Sequence, residues 1–157
     1  MKPRSTPRGK NHRVRAIILT NQQEVLFIKR IKPNGTAPYW VAPGGGLEED
    51  DTDTIEALHR EVNEELGATV EVLYEAFVLE HEMANKSLLE TFVVCRLIDF
   101  DLSLRNGPEF KDPSRGEYIP DFVPLLATAL DDIYIKTPQL KKWLLANLSQ
   151  LRQSARP

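Results

Sequence analysis

The apolar positions along the chain follow two periods, and the switches between them mark out the elements. Residues 14–19 and 25–31 are rich in β-branched and aliphatic side chains, and the polar Thr20-Asn21-Gln22-Gln23 between them predicts a hairpin with a short loop. Pro33, Asn34, Gly35 and Pro38 punctuate a loop. Tyr39-Trp40-Val41 is then a brief extended segment that stops at Pro43 and the loop-like run Gly44-Gly45-Gly46. From residue 52 to 66 the period changes: Ile55, Leu58, Val62 and Leu66 recur at helical intervals, and Gly67 stands where a left-handed residue would end the helix. Strand-like runs resume at 69–79 and 88–98, with the polar segment 80–86 between them as a turn or loop. Residues 105–116 read as an exposed loop, and 118–123 as a strand that Pro120 confines to an edge or a bulge. A short helix is expected over 125–130. A clearer one opens at Thr137-Pro138, with Leu140, Trp143, Leu144 and Leu148 on one face.

Composition narrows this to one unit. A chain of 157 residues, 41% hydrophobic and 27% charged, is long enough to bury one core but not two. We expect a single soluble domain over 13–150, between a flexible basic arm at 1–12 carrying Lys2, Arg4, Arg8 and Lys10 and a short tail at 151–157. The formal net charge of -3 gives no bulk attraction to nucleic acid or to an anionic membrane. No stable nucleic-acid partner is therefore expected, and a phosphate-bearing ligand would need local cations or a metal. A lone cysteine, Cys95, lies in an apolar run and reads as a small core residue of a reducing compartment, which suggests the cytoplasm. No stretch approaches the roughly 20 apolar residues of a membrane span, so no membrane partner is expected; a homodimer remains compatible with the sequence.

The predicted helix carries a local electrostatic anomaly. On an ideal helix each residue advances by about 100°, so Glu61, Glu64 and Glu65 share a face roughly 110° from the apolar stripe. Asp51, Asp53 and Glu56 suit the positive start of the helix, whereas Glu64 and Glu65 sit at its negative end, each at a cost of about 0.3 to 1 kcal/mol. Neighbours three and four apart on a helix are close enough for several carboxylates to converge on one cation. A divalent cation would reverse the penalty; a solvated acidic face with an Arg60/Glu64 ion pair is the alternative.

The stretch from Gly46 to Ala68 reads GLEEDDTDTIEALHREVNEELGA and resembles the Nudix box, GX5EX7REUXEEXGU, in which U is a bulky aliphatic residue. Arg60, Glu61, Val62, Glu64, Glu65 and Gly67 match position by position, Ala68 stands in for the final aliphatic, and Gly46 falls on the opening glycine. Thr52 occupies the place of the first glutamate, flanked by Asp51 and Asp53, so any charge-dependent duty there must pass to an adjacent aspartate. The Trp40-Val41-Ala42-Pro43-Gly44-Gly45 approach and the Phe122-Val123-Pro124-Leu125 segment are similar to parts of Nudix domains too, and the resemblance spans roughly 13–148.

The resemblance implies an α/β/α sandwich with a mixed β-sheet and a Mg²⁺-dependent hydrolase, with Mn²⁺ as the usual substitute. Its reaction would cleave the diphosphate linkage of a nucleoside diphosphate derivative or a nucleoside triphosphate by water attack at phosphorus. Glu61, Glu64 and Glu65 would hold the metal, Arg60 would orient a box glutamate, and the general base would be Glu61 or a loop carboxylate, Glu109 or Glu117. Gly45 and Gly46 would let the backbone approach the diphosphate, while Arg15 and Arg30 on the early strands would meet phosphate or serve as ordinary surface cations. The competing reading, kept open by Thr52, is a catalytically weak Nudix domain that works as a nucleotide-binding or regulatory module. An isoprenyl diphosphate isomerase on the same scaffold would need a reactive cysteine, and Cys95 is placed as a core residue.

Overall fold

In the computed structural model, which describes residues 11–157, the chain begins with strand β1 (His12–Leu19), whose alternate side chains serve two different cores. Val14, Ala16 and Ile18 point to one face of the sheet and Ile17 and Leu19 to the other, because successive side chains on a strand point to opposite sides. Strand β2 (Glu24–Ile31) divides in the same way, with Leu26 and Ile28 on the first face and Val25 and Phe27 on the second.

The two strands touch at only two register pairs, Ile18 with Leu26 and Leu19 with Val25. Beyond these they splay apart, and the segment 39–46 enters the wedge between them. Its first half, β3 (Tyr39–Val41), pairs with β2, and its second half, β4 (Gly44–Gly46), pairs antiparallel with β1. The glycine run expected as a loop is therefore a strand. Its glycines are needed because the chain is pressed onto β1: Gly44 has φ +152, and a Cβ there would collide with the carbonyl oxygen of Val14.

Helix α1 (Thr54–Leu66) follows, then β5 (Ala68–Met83) and β6 (Lys86–Phe100), which form a long antiparallel hairpin. The hairpin runs past the expected 69–79 and 88–98, because the polar residues 80–82 and 86–87 still pair across it. β6 lies parallel to β1 from His12 opposite Leu89 to Leu19 opposite Arg96, so the sheet is mixed. After three short 3-10 turns between 102 and 115, β7 (Glu117–Pro124) pairs along the whole of β2, and Pro120 sits on this outer strand as expected. The chain ends in α2 (Ala127–Asp131), α3 (Pro138–Ala146) and α4 (Leu148–Ser154).

α1 covers one face of the sheet through Ala57, Leu58, Val62 and Leu66; the terminal helices cover the other through Leu130, Leu140, Leu144 and Leu151. This is an α/β/α arrangement. Ile55, expected in the buried stripe of α1, is 38% exposed, and Ala57 takes its place. The segment expected as a tail carries Leu151 and Ala155, both fully buried, while His12, placed in the expected arm, is buried in β1. Residues 1–10 of that arm lie outside the described residues. No helix among the described residues is long and apolar enough to cross a membrane.

Candidate active site

α1 is held at both ends by groups that also shape the site. Asp53 caps its start, accepting from the Glu56 N–H at 2.8 Å, and Gly67 ends it in the left-handed region at φ 62. The last carbonyls, otherwise orphaned, find partners in the following loop: Glu64 O accepts from the Asn106 N–H at 3.1 Å and Glu65 O from Arg105 Nε at 2.7 Å. Arg105 also lies over the Phe110 ring, 4.3 Å from its centroid. A cation at the negative end of α1 thus compensates part of the placement of Glu64 and Glu65.

Arg60 is the hub. Its Nε and Nη2 donate to the two oxygens of Asp51 at 3.1 and 2.9 Å, Nη2 also reaches Gly46 O at 3.1 Å, and Nη1 faces Glu61 at 2.9 Å and Glu64 at 3.4 Å. The hydrogen bonds it donates to Asp51, with help from Glu61, raise the guanidinium pKa further against desolvation. Asp51 is buried and is itself fixed by the Glu48 N–H at 2.7 Å. Of the two aspartates beside Thr52 it is Asp51 that holds Arg60, through a bidentate pair of the kind that fixes a guanidinium in direction as well as position. Thr52 instead bonds Glu56, its hydroxyl donating at 2.7 Å.

Two of the box glutamates lie against the glycine strand. The Glu61 carboxylate occupies the space beside Gly45, where a Cβ would come within 2.7 Å of it. Glu65 Oε1 accepts from the Gly44 N–H at 2.6 Å. Burial pushes the Glu65 carboxyl up to about 8, against the Gly44 hydrogen bond and nearby Arg15, while Glu61 and Glu109 push it further up. Burial likewise raises Glu61, against its pairing with Arg60. Glu64 is the open member, with its side chain 39% exposed. Among the described residues no three acidic, histidine or cysteine side chains are gathered into a ready-made metal cage, and Arg60 is the cation that Glu61 and Glu64 share. The donor set nevertheless fits a hard divalent cation: carboxylate oxygens side by side on one helix, those of Glu61 and Glu65 desolvated.

Glu65 opens onto a cleft of about 700 Å³ that occupies the wedge between β1 and β2. Arg15 lines it, with Nε on Glu90 at 2.8 Å and Nη1 on Ala42 O at 3.2 Å and Gly44 O at 3.4 Å. Arg30 lines it as well, its guanidinium 3.6 Å from the Tyr118 ring centroid and bonded to the carbonyls of Glu117 and Arg115. The structure thus brings Glu61, Glu64, Arg60, Gly45 and Gly46 together around α1 and places Arg15, Arg30 and Glu65 on the cleft. The Glu117 side chain is exposed, and its backbone carbonyl reaches Arg30. Glu109, in contrast, acts electrostatically on Glu65. Sequence reasoning missed Arg105, Tyr118, His81 and Glu90. For Glu90 a signal existed: it sits two residues before Phe92 and four before Val94, on the core-facing side of β6, where a charged residue needs a partner.

Comparison with known proteins agrees with this architecture. The NUDIX domain model matches residues 10–121. Among solved structures, the ORF135 protein of E. coli superposes with a TM-score of 0.61 at 23% identity, covering 93% of this chain and 92% of its own. A MutT NUDIX hydrolase from Burkholderia pseudomallei gives 0.55 at 25% identity, with 90% of this chain and 98% of the other covered. An Ap4A hydrolase of C. elegans gives 0.62 at 17% identity, with 91% and 98% covered. No curated protein matches the chain.

Proposed function

The chain belongs to the Nudix family, whose enzymes hydrolyse diphosphate linkages, and we propose that it cleaves such a linkage in a nucleoside diphosphate derivative or nucleoside triphosphate with the help of Mg²⁺. The observation that carries this reading is the placement of the Glu61 and Glu65 carboxylates on the glycine strand at the edge of the cleft, with Arg60 locked behind them by Asp51. Glu61, Glu64 and Glu65 would hold the cation, which would neutralise phosphate oxygens and make a water a better nucleophile.

The residues of the chain supply position and charge around that chemistry. Gly44 and Gly45 have no side chain, so the strand can lie directly against β1 and leave the Glu61 carboxylate seated beside Gly45. Arg15 faces the same strand and offers a guanidinium to a phosphate oxygen, while Arg60 keeps Glu61 and Glu64 oriented. The water proton has an acceptor in Glu61 or in a loop carboxylate, Glu109 or Glu117. A cleft of about 700 Å³ has room for a nucleotide, and Trp40, Tyr39 and Tyr118 offer flat surfaces to a base. The reading of a weak nucleotide-binding module rested on Thr52, and Asp51 supplies the charge that Thr52 lacks.

The test is a panel of nucleoside triphosphates, nucleotide sugars and dinucleotides incubated with the purified protein and Mg²⁺, with release of phosphate or nucleoside monophosphate as readout. At least one substrate is expected to turn over, EDTA to stop it, and Glu64→Gln and Glu65→Gln each to remove most of it. Turnover indifferent to EDTA, or retained in both variants, overturns the mechanism. A panel with no turnover but with binding supports the binding module instead.

A further inference from the structure

A polar chain crosses three strands on the floor of the cleft. His81 on β5 meets Glu90 on β6, Nε2 to Oε1 at 3.0 Å, and the other oxygen of Glu90 accepts from Arg15 Nε on β1 at 2.8 Å. All three residues line the cleft that Glu65 also lines. Glu90 is the deepest of them, its side chain 9% exposed, on the face of β6 that carries the buried apolar Phe92 and Val94. A carboxylate so placed costs free energy unless it is paired, and here each oxygen has its own partner. Arg15 and His81 accordingly hold the Glu90 carboxyl below the ordinary carboxylate range in spite of its burial.

The geometry of Arg15 shows what this arrangement achieves. A guanidinium has five N–H donors in one plane. Nε is taken by Glu90, and Nη1 points to Ala42 O and Gly44 O, the latter on the residue whose N–H holds Glu65. Fixed along two edges, the group can turn only its remaining Nη2 donors toward a ligand. Without Glu90 the long side chain would be free to leave that plane, at an entropic cost on binding.

Building on the reading that the site takes a diphosphate, we propose that Glu90 is a positioning residue: seated by His81, it aims the free edge of Arg15 at a phosphate of the substrate beside Glu65. Glu90 and His81 do not touch the phosphate themselves. Their effect passes through Arg15, so it belongs to substrate affinity and not to the chemical step.

The experiment measures kcat and KM on a substrate identified in the panel, for wild type and for Arg15→Ala, Glu90→Ala, Glu90→Gln and the double variant Arg15→Ala/Glu90→Ala. Binding of α,β-methylene-ADP with Mg²⁺ serves as a readout independent of turnover, and a thermal melt checks folding. Arg15→Ala and Glu90→Ala are each expected to raise KM about tenfold with kcat changed far less, the size of one charge-assisted contact. Glu90→Gln, nearly the same shape and still an acceptor, is expected to recover part of that loss, and the double variant to be no worse than Arg15→Ala alone. Glu90→Gln decides the matter if Glu90→Ala does not fold. A wild-type KM in folded Glu90 variants, or KM effects that multiply in the double variant, overturns the proposal. If the wild type hydrolyses nothing on the panel and does not bind the analogue, the functional reading fails first; an active wild type with indifferent Glu90 variants sinks only the role of Glu90.

Discussion

Asp51 and Thr52 are neighbours with opposite duties. Asp51 is buried and grips Arg60 with both oxygens, whereas Thr52 is exposed and bonds Glu56. Removing Asp51 takes the bidentate partner from Arg60 and leaves it Glu61 and Glu64, so Asp51→Ala should lower stability by about 1.5 to 3 kcal/mol and lose most activity. Thr52→Ala should cost under about 0.5 kcal/mol and leave activity near wild type; denaturant unfolding and the panel assay measure both. Equal effects at the two positions would refute the division of labour. Gly45→Ala separates site from scaffold in another way. Its new Cβ meets the flexible end of Glu61 and not backbone, so Glu61 can swing away. Activity should fall with little change in melting temperature, and a large loss of stability would contradict this. The bond to Arg60 could not be assigned from the sequence alone, because the offset of nine residues to Asp51 crosses a loop and follows no helical or strand period. The partners of Glu90 were hidden for a related reason: they stand 9 and 75 residues away.

Helix α1 was the most legible element, since both its apolar stripe and its acidic face are set by local periodicity. The error at Ile55 arises at its first turn, where the end of the helix leaves the sheet and the smaller Ala57 makes the contact. β4 was illegible because three glycines carry no periodic signal, and only pairing with β1 makes them a strand. The acids at the end of α1 carry a pH dependence with a definite sign. In the cation-free protein Glu65 is raised from 4.5 to about 8, so the folded state binds more protons than the unfolded one between those values. Stability should therefore fall as pH rises through that window. In EDTA, Glu65→Gln, which keeps an acceptor for the Gly44 N–H, should melt above wild type at pH 8, and the gap should narrow toward pH 5. Added Mg²⁺ should stabilise wild type more than the variant. A gap that widens on acidification would contradict the assignment.

The whole molecule owes its site to a splay. β1 and β2 part after two pairs, and the wedge becomes both the seat of the glycine strand and the cleft beside it. A mixed α/β sandwich was implied by the resemblance to the Nudix box, but the splay could not be read from the sequence, since it depends on which strands pair at a distance. The same holds for the C-terminus, where Leu151 and Ala155 complete the core opposite α1. Leu151→Ala should cost about 2 to 5 kcal/mol, a loss readable by denaturant titration and absent if 151–157 were a loose tail. Cys95 reports on the integrity of the core as a whole: burial pushes its thiol up to about 12. Alkylation at pH 8 should proceed no faster than unfolding, and rapid labelling of the native protein would show a looser core than described. The claim on which the functional account stands is that Glu61, Glu64 and Glu65 hold a divalent cation. Electron paramagnetic resonance of Mn²⁺ titrated into the protein measures that without any substrate. The account predicts a saturable site in wild type that is lost or strongly weakened in Glu64→Gln and Glu65→Gln; undiminished Mn²⁺ binding in both variants would place the metal elsewhere and remove the basis of the proposed reaction.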